Sequence, residues 1–416
     1  MSRVRPIAAN NLPVEAAHTA PSAAVKRPCW LYVMNWSLRH TGGVNEVVRN
    51  LSDLTEVFLG RRAMVLERDW NHPGLSVGME DGRKVAVASW PAPWSRRNGL
   101  RYLASFGLRR PAAVRRLRDL VLAEDVDTVH VHFPGLESAI WSFVRSALNG
   151  RLRLILSFHG LDLKAALRAT GVERAMWRRL LRAADHIVVC AGGMRDALSD
   201  RFPEIAPRIR VIANGVDTAR LQRAAAVPPN IDLPRRYLFS AATYEPKKGL
   251  DVLMRAFDAI ADAHPDLVLL IAGRHEPGSL RALDALRTSL RSASRIRLLG
   301  DLPHAEAMAV IARATCFVLA SREEPFGITV LEAGALAAPT IATSVCGCLS
   351  FFEPGSELLV VPPDNSGALA SAIARLLEDP ETAQRMARRM QAAVHARLEW
   401  SSVIGAYSEL SGDSTH

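Results

Sequence analysis

At 416 residues the chain is too long for one ordinary domain, and roughly 100–200 residues per domain gives two or three. Hydrophobic residues make up 49% and charged residues 23%, so sizeable cores form and global disorder is excluded. No run of 18 apolar residues occurs, which excludes a membrane-spanning helix. The net charge of +10 is uneven: residues 1–215 hold 32 Lys+Arg against 19 Asp+Glu, and the remainder 20 against 23. Such asymmetry turns the first half toward an anionic partner. The five cysteines are scattered except for Cys346 and Cys348; they match neither a disulfide framework nor a zinc site, and the chain reads as reduced and cytoplasmic.

Residues 1–27 lack the apolar core of a secretory signal and read as a flexible extension. Order begins near Trp30 with a short buried strand, followed by Gly42-Gly43 and then Val44, Val47, Val48 and Leu51 at helical spacing. From Trp94 to Arg118 the chain carries Arg96, Arg97, Arg101, Arg109, Arg110, Arg115, Arg116 and Arg118 with no acid, interleaved with Trp94, Tyr102 and Phe106. Two readings fit: a solvated arginine-rich face, or docking on an anionic membrane, where each basic residue contributes about 1 kcal/mol. Nucleic acid is disfavoured, because no zinc-finger, RNP or basic-zipper pattern is present. Asp125-Val126-Asp127 reads as the start of a strand rather than a metal motif, and His130 and His132 alternate on that strand as packing residues.

Further strands are expected at Thr128–His132, Leu154–Phe158, Ile187–Cys190 and Arg210–Ile212. The alternation restarts at Tyr237–Ser240 and runs through Leu267–Ala272, Ile296–Leu299, Cys316–Ala320, Thr340–Ala342 and Leu358–Val361, with helical segments between. Strands alternating with helices give α/β architecture: two doubly wound, parallel-sheet, Rossmann-like domains facing across a cleft. The prolines at 228, 229 and 234 mark the join, so we assign 28–215 to the first domain and 216–395 to the second; 396–416 is expected to be a helix packing back toward the first.

The residues that carry chemistry lie in Glu324-Pro-Phe-Gly-Ile-Thr-Val-Leu-Glu332: two carboxylates separated by a glycine turn that opens a helix. Backbone N–H groups over Phe326–Thr329 would face an anion or a hydroxyl-rich ligand, and carboxylates accept hydrogen bonds from sugar hydroxyls. Either Lys247 or Lys248, at a strand-to-helix turn, supplies the cation that a phosphate beside those carboxylates would need.

Taken in order, Gly42-Gly43, His159-Gly160, Asn214-Gly215-Val216-Asp217, Pro246-Lys247-Lys248-Gly249, Gly300-Asp301 and Glu324…Glu332 resemble the family-four retaining glycosyltransferases of GT-B fold. The resemblance spans residues 30–410 and implies that 28–215 is the acceptor-binding domain and 216–395 the nucleotide-sugar-binding domain. It implies transfer of a sugar from a UDP- or GDP-sugar, with retained configuration and without a metal or other cofactor, to a saccharide or lipid-linked saccharide in polysaccharide or lipopolysaccharide synthesis. It further implies that Glu332 holds the donor ribose and Glu324 the transferred sugar, with Phe326, Gly327, Ile328 and Thr329 beside sugar and diphosphate. Lys248 would neutralise the diphosphate, Gly42 and Gly43 would let the backbone approach it, and His159 would face the reacting centre. The family's arginine five residues before the lysine is Thr243 here, which means weaker donor binding, a compensating arginine such as Arg274, or a degenerate site. An epimerase of the same fold and an inactive binding partner are the alternatives.

Overall fold

Residues 27–40, 42–94 and 99–411 are described by the computed structural model. The extension expected over 1–27 therefore lies outside the described residues except for Arg27, as do Arg96 and Arg97. The first sheet contains β1 (Cys29–Met34), β2 (Arg62–Arg68), β3 (Leu75–Glu80), β4 (Arg83–Ala88), β5 (Val126–His132), β6 (Arg153–Phe158), β7 (His186–Val189) and β8 (Ile209–Val211), in the order β3-β4-β2-β1-β5-β6-β7-β8. The second contains β9 (Arg236–Ala241), β10 (Leu267–Ala272), β11 (Ile296–Gly300), β12 (Cys316–Leu319), β13 (Thr340–Thr343) and β14 (Leu359–Val361), ordered β11-β10-β9-β12-β13-β14.

Both sheets are buried on two faces, which is why their central strands are nearly continuous apolar runs. In β1, Cys29, Leu31 and Val33 enter one core cluster while Trp30, Tyr32 and Met34 enter another. Helix Gly43–Leu59 covers β1 with Val47, Val48 and Leu51, and ends at Gly60 in the left-handed conformation.

The expectation of a wholly parallel first sheet needs one correction. β3 runs antiparallel to β4, joined by Asp81 (φ 48°) and Gly82 (φ 77°) in a tight hairpin turn. This edge hairpin and β2 interrupt the simple strand–helix alternation, and most β3 side chains are exposed.

Strand order fixes where ligands bind. In each sheet the order reverses once, between β1 and β5 in the first and between β9 and β12 in the second. Ligand crevices open beyond the carboxyl ends of strands at such switch points. The Gly42-Gly43 loop follows β1, and the loops bearing Lys248 and Glu324 follow β9 and β12.

The chain crosses between domains beside Val216, whose N–H donates to the Leu398 carbonyl (2.9 Å) and whose carbonyl accepts from Trp400 N–H (3.1 Å). Helix Thr218–Ala226 packs on helix His304–Ile311 of the second domain. Beyond Trp400, two short helices return to the first domain, where Trp400, Ile404, Tyr407 and Leu410 pack with Trp30 and Tyr32. Each such large side chain stabilises the contact by about 1.5–3 kcal/mol through burial.

Candidate active site

Lys248 Nζ lies 2.7 Å from Glu324 Oε2, and both side chains are largely buried. Lys248 is thus the inward lysine; Lys247 turns away to pair with Glu245. Arg322 holds the two loops in register. Its guanidinium grips both oxygens of Asp251 at 2.8 Å, and its N–H donates to the Lys247 carbonyl at 2.7 Å. That fork holds the Asp251 carboxyl below its ordinary range.

Past Glu324 the chain turns at Gly327, whose φ of 95° favours glycine. A Cβ there would lie 2.3 Å from Cys346 Sγ. Phe326 is buried against Phe351, and its carbonyl accepts from Cys348 N–H. Helix Ile328–Ala335 then begins with no side-chain cap, so the amides at Ile328 and Thr329 keep their capacity to bind an anion. One turn on, Glu332 projects from the same helix face as Ile328 and accepts a 2.7 Å hydrogen bond from His304 Nε2. This bond raises the His304 pKa. Glu332 and His304 border a narrow crevice between the domains with Glu46 and Arg220, themselves 3.1 Å apart.

The first domain meets this wall closely. A Cβ on Gly43 would lie 3.0 Å from Ile328 Cδ1, and Gly42 precedes it with open space around its Cα. Gly160 (φ 141°) faces Pro325, whose Cγ would be 2.4 Å from an added Cβ. His159, at the carboxyl end of β6, accordingly stands beside the Glu324-Pro325 turn. Burial lowers its pKa to about 4, so the imidazole is neutral. Asp162 accepts from the backbone N–H groups of His159, Gly160 and Leu163, which fixes the turn, while burial raises its own pKa to about 6.

Sequence reasoning placed His130 and His132 as packing residues, and both are fully buried. His132 does more: its Nδ1 lies 3.1 Å from His159 Nε2. Thr243 hydrogen-bonds Glu245 (2.7 Å), and Arg274 is exposed in the loop after β10. Asp125-Val126-Asp127 sits at the amino end of β5, away from the cleft, with Asp127 paired to Arg61. Among the described residues no cluster of three or more His, Cys, Asp or Glu is arranged to hold a metal. All five cysteines are free thiols, and no described helix is long and apolar enough to cross a membrane.

The arginine-rich stretch forms helix Gly99–Ala123. Phe106 points into the core and is unavailable to a membrane; Leu103, Leu108 and Leu122 are exposed large apolar groups of this helix, the first two alongside Arg101, Arg109 and Arg115.

The chain has counterparts among known proteins. Residues 41–220 match the family described as Glycosyltransferase Family 4, and residues 223–392 match Glycosyl transferases group 1. The chain belongs to the group 1 glycosyltransferases of GT-B fold. This glycosyltransferase is 26% identical over 392 residues to glycogen synthase of Mycobacterium tuberculosis, covering 89% of this chain and 90% of that protein. It is 25% identical over 387 residues to phosphatidyl-myo-inositol mannosyltransferase of Mycolicibacterium smegmatis, covering 91% and 93%. Among solved structures, Anabaena Alr3699/HepE in complex with UDP superposes with a TM-score of 0.69 at 17% identity, covering 92% of the glycosyltransferase and 98% of that chain.

Proposed function

We propose that this glycosyltransferase moves a sugar from a UDP- or GDP-sugar to a hydroxyl of a saccharide or lipid-linked saccharide, retaining the anomeric configuration and using no metal ion. The observation that carries the reading is the 2.7 Å Lys248–Glu324 pair at the second sheet's switch point, beside the uncapped start of helix Ile328–Ala335. As the bond from sugar to diphosphate breaks, negative charge grows on the leaving phosphate. The Lys248 ammonium and the amides of Ile328 and Thr329 stabilise that charge, the role a divalent metal would otherwise fill. Glu324 orients both Lys248 and the transferred sugar, and Glu332 accepts from the donor ribose. Neutral His159 hydrogen-bonds a hydroxyl of the transferred sugar. A departing phosphate oxygen takes the acceptor's proton on the same face, which yields retention.

The crevice at Glu332 holds about 40 Å³, room for a few waters and not for a nucleoside. Parting of the domains, which would break the Arg220–Glu46 pair, would widen it for a nucleoside. The UDP in the HepE structure supports a nucleoside diphosphate as the leaving group. The two mycobacterial relatives, one named for glycogen and one for a phosphatidylinositol, support assembly of a polysaccharide or a lipid-linked glycan, and we place the protein in the cytoplasm. In the lipid-linked case, Arg101, Arg109, Arg115 and Leu108 would dock the first domain on an anionic membrane face.

Proton NMR of the product from an α-linked donor, with and without EDTA, tests the reaction. An α-linked product formed equally in EDTA is expected. A β-linked product would contradict retention, EDTA-sensitive turnover would contradict metal independence, and epimerised donor without transfer would favour the epimerase alternative.

A further inference from the structure

A cavity of about 560 Å³ opens beside Glu324 on the flank away from Glu332. It lies within the range of roughly 300–1,000 Å³ typical of small-molecule sites. Gly160, Glu324 and Pro325 line it, so it adjoins His159 and the Lys248–Glu324 pair. Both domains build it: Leu163 and Leu167 come from the helix after His159-Gly160, Met194 from helix Gly192–Arg201, and Val345 and Leu349 from the turn after β13. At its mouth Lys164 is ion-paired to Glu323 across the domain boundary.

This lining is unusual for a site that would hold a bare sugar chain. A saccharide carries a hydroxyl on nearly every carbon, and each hydroxyl buried without a partner costs free energy. The five aliphatic side chains offer none, and no aromatic ring lines the cavity to stack on a sugar face. The two serines, Ser344 and Ser350, are exposed at the margin. Charge also discriminates: Glu323 is paired with Lys164 and Glu324 with Lys248, so the lining leaves no unpaired ammonium to hold a phosphate group. The start of helix Gly192–Arg201 adds backbone donors, which serve a neutral hydroxyl or ether oxygen as well as an anion.

We infer that the acceptor is a neutral amphiphile: a hydroxyl-bearing compound with an apolar group on the Leu163–Met194–Leu349 wall, within about one sugar ring of the accepting hydroxyl. The inference rests on the transfer reaction proposed above and narrows its acceptor. Glycans extended far from any lipid, and acceptors with a phosphate next to the accepting sugar, are disfavoured.

The test compares methyl glycosides, and octyl glycosides below their critical micelle concentration, of glucose, galactose, mannose and N-acetylglucosamine with maltotetraose and glucose 6-phosphate. Binding is read by saturation-transfer NMR with the nucleotide present, and turnover by nucleotide release. At least one octyl glycoside is expected to bind ten-fold or more tightly than its methyl counterpart. Leu349→Asp and, separately, Val345→Asp should remove most of that advantage, while the nucleotide-induced rise in melting temperature persists. Equal binding of methyl and octyl glycosides, an octyl advantage untouched by both variants, or strongest binding of maltotetraose or glucose 6-phosphate would overturn the inference. A protein whose melting temperature responds to no nucleotide would instead overturn the transferase reading on which it stands.

Discussion

His304 Nε2 and Glu332 Oε1 are 2.7 Å apart, so one oxygen of the carboxylate expected to hold the donor ribose is already engaged by its own protein. The other oxygen is left to accept from the ribose. The pair fixes the Glu332 rotamer, and it titrates. The hydrogen bond to Glu332 and the nearby Glu46 favour the protonated imidazole, while burial and Arg220 oppose it, with a net upward shift.

A raised folded-state pKa means that the pair's contribution is complete below the ordinary histidine pKa of about 6.5 and is lost as pH rises through the folded value. Donor affinity should therefore weaken several-fold between pH 6.5 and 8.5. In His304→Ala the affinity should be weaker at pH 6.5 and nearly flat across that range. Nucleotide titrations by calorimetry at both pH values check this, and an unchanged pH profile in the variant would contradict it.

Acid should destabilise the fold through the first domain's histidines. Burial lowers His159 to about 4 and His130 to about 3, and pushes His132 down as well. For groups with depressed folded pKa values, the stability contribution is full above about 6.5 and lost as pH falls toward those values. Asp162, raised to about 6, acts in the opposite sense between about 3.8 and 6, but it is one group against three. The melting temperature should fall steeply from pH 6.5 to 4.5, and His132→Gln should flatten the slope. A pH-independent melting temperature would exclude this coupling.

Much of this was legible in the sequence, because the strands around both switch points are continuous apolar runs ending in glycine loops. Gly327 and Glu332 follow from local turn and helix chemistry. What stayed hidden depends on residues distant in the chain. Nothing at Arg322 announces its fork on Asp251, and nothing at His304 announces Glu332, 28 positions on. His132 looked like a packing residue because alternation reports its face and not its neighbour 27 positions on, His159, at the end of the adjacent strand. The β3–β4 hairpin did carry a signal: Asp81-Gly82 between two alternating runs is a short-range hairpin signature.

Gly160 marks where the domains touch. Gly160→Ala would place a Cβ against Pro325 Cγ and add strain of about 1–3 kcal/mol at φ 141°. Turnover should fall ten-fold or more, with donor binding reduced far less. Gly160→Ala combined with Pro325→Ala should recover part of the loss. If it recovers none, backbone strain and not the inter-domain contact controls closure.

Membrane docking has its own readout. Co-sedimentation with phosphatidylglycerol vesicles should be salt-sensitive and should drop when Arg101, Arg109 and Arg115 become Ser. Leu108→Ser, at a position 84% exposed, should weaken it further without unfolding the helix. Equal sedimentation of wild type and variants would remove this face from the account.

The most direct measurement is a thermal-shift titration of wild type, Lys248→Ala and Glu332→Ala with UDP, GDP and ADP. A ligand that binds only the folded protein raises its stability by about 2.7 kcal/mol at one hundred times its dissociation constant. One nucleotide should stand out with wild type, and each substitution should weaken it roughly 10- to 100-fold, since hydrogen bonds to a charged group contribute about 1.5–3 kcal/mol. Wild-type affinity in both variants, or no shift with any nucleotide, would contradict a donor site built on Lys248 and Glu332.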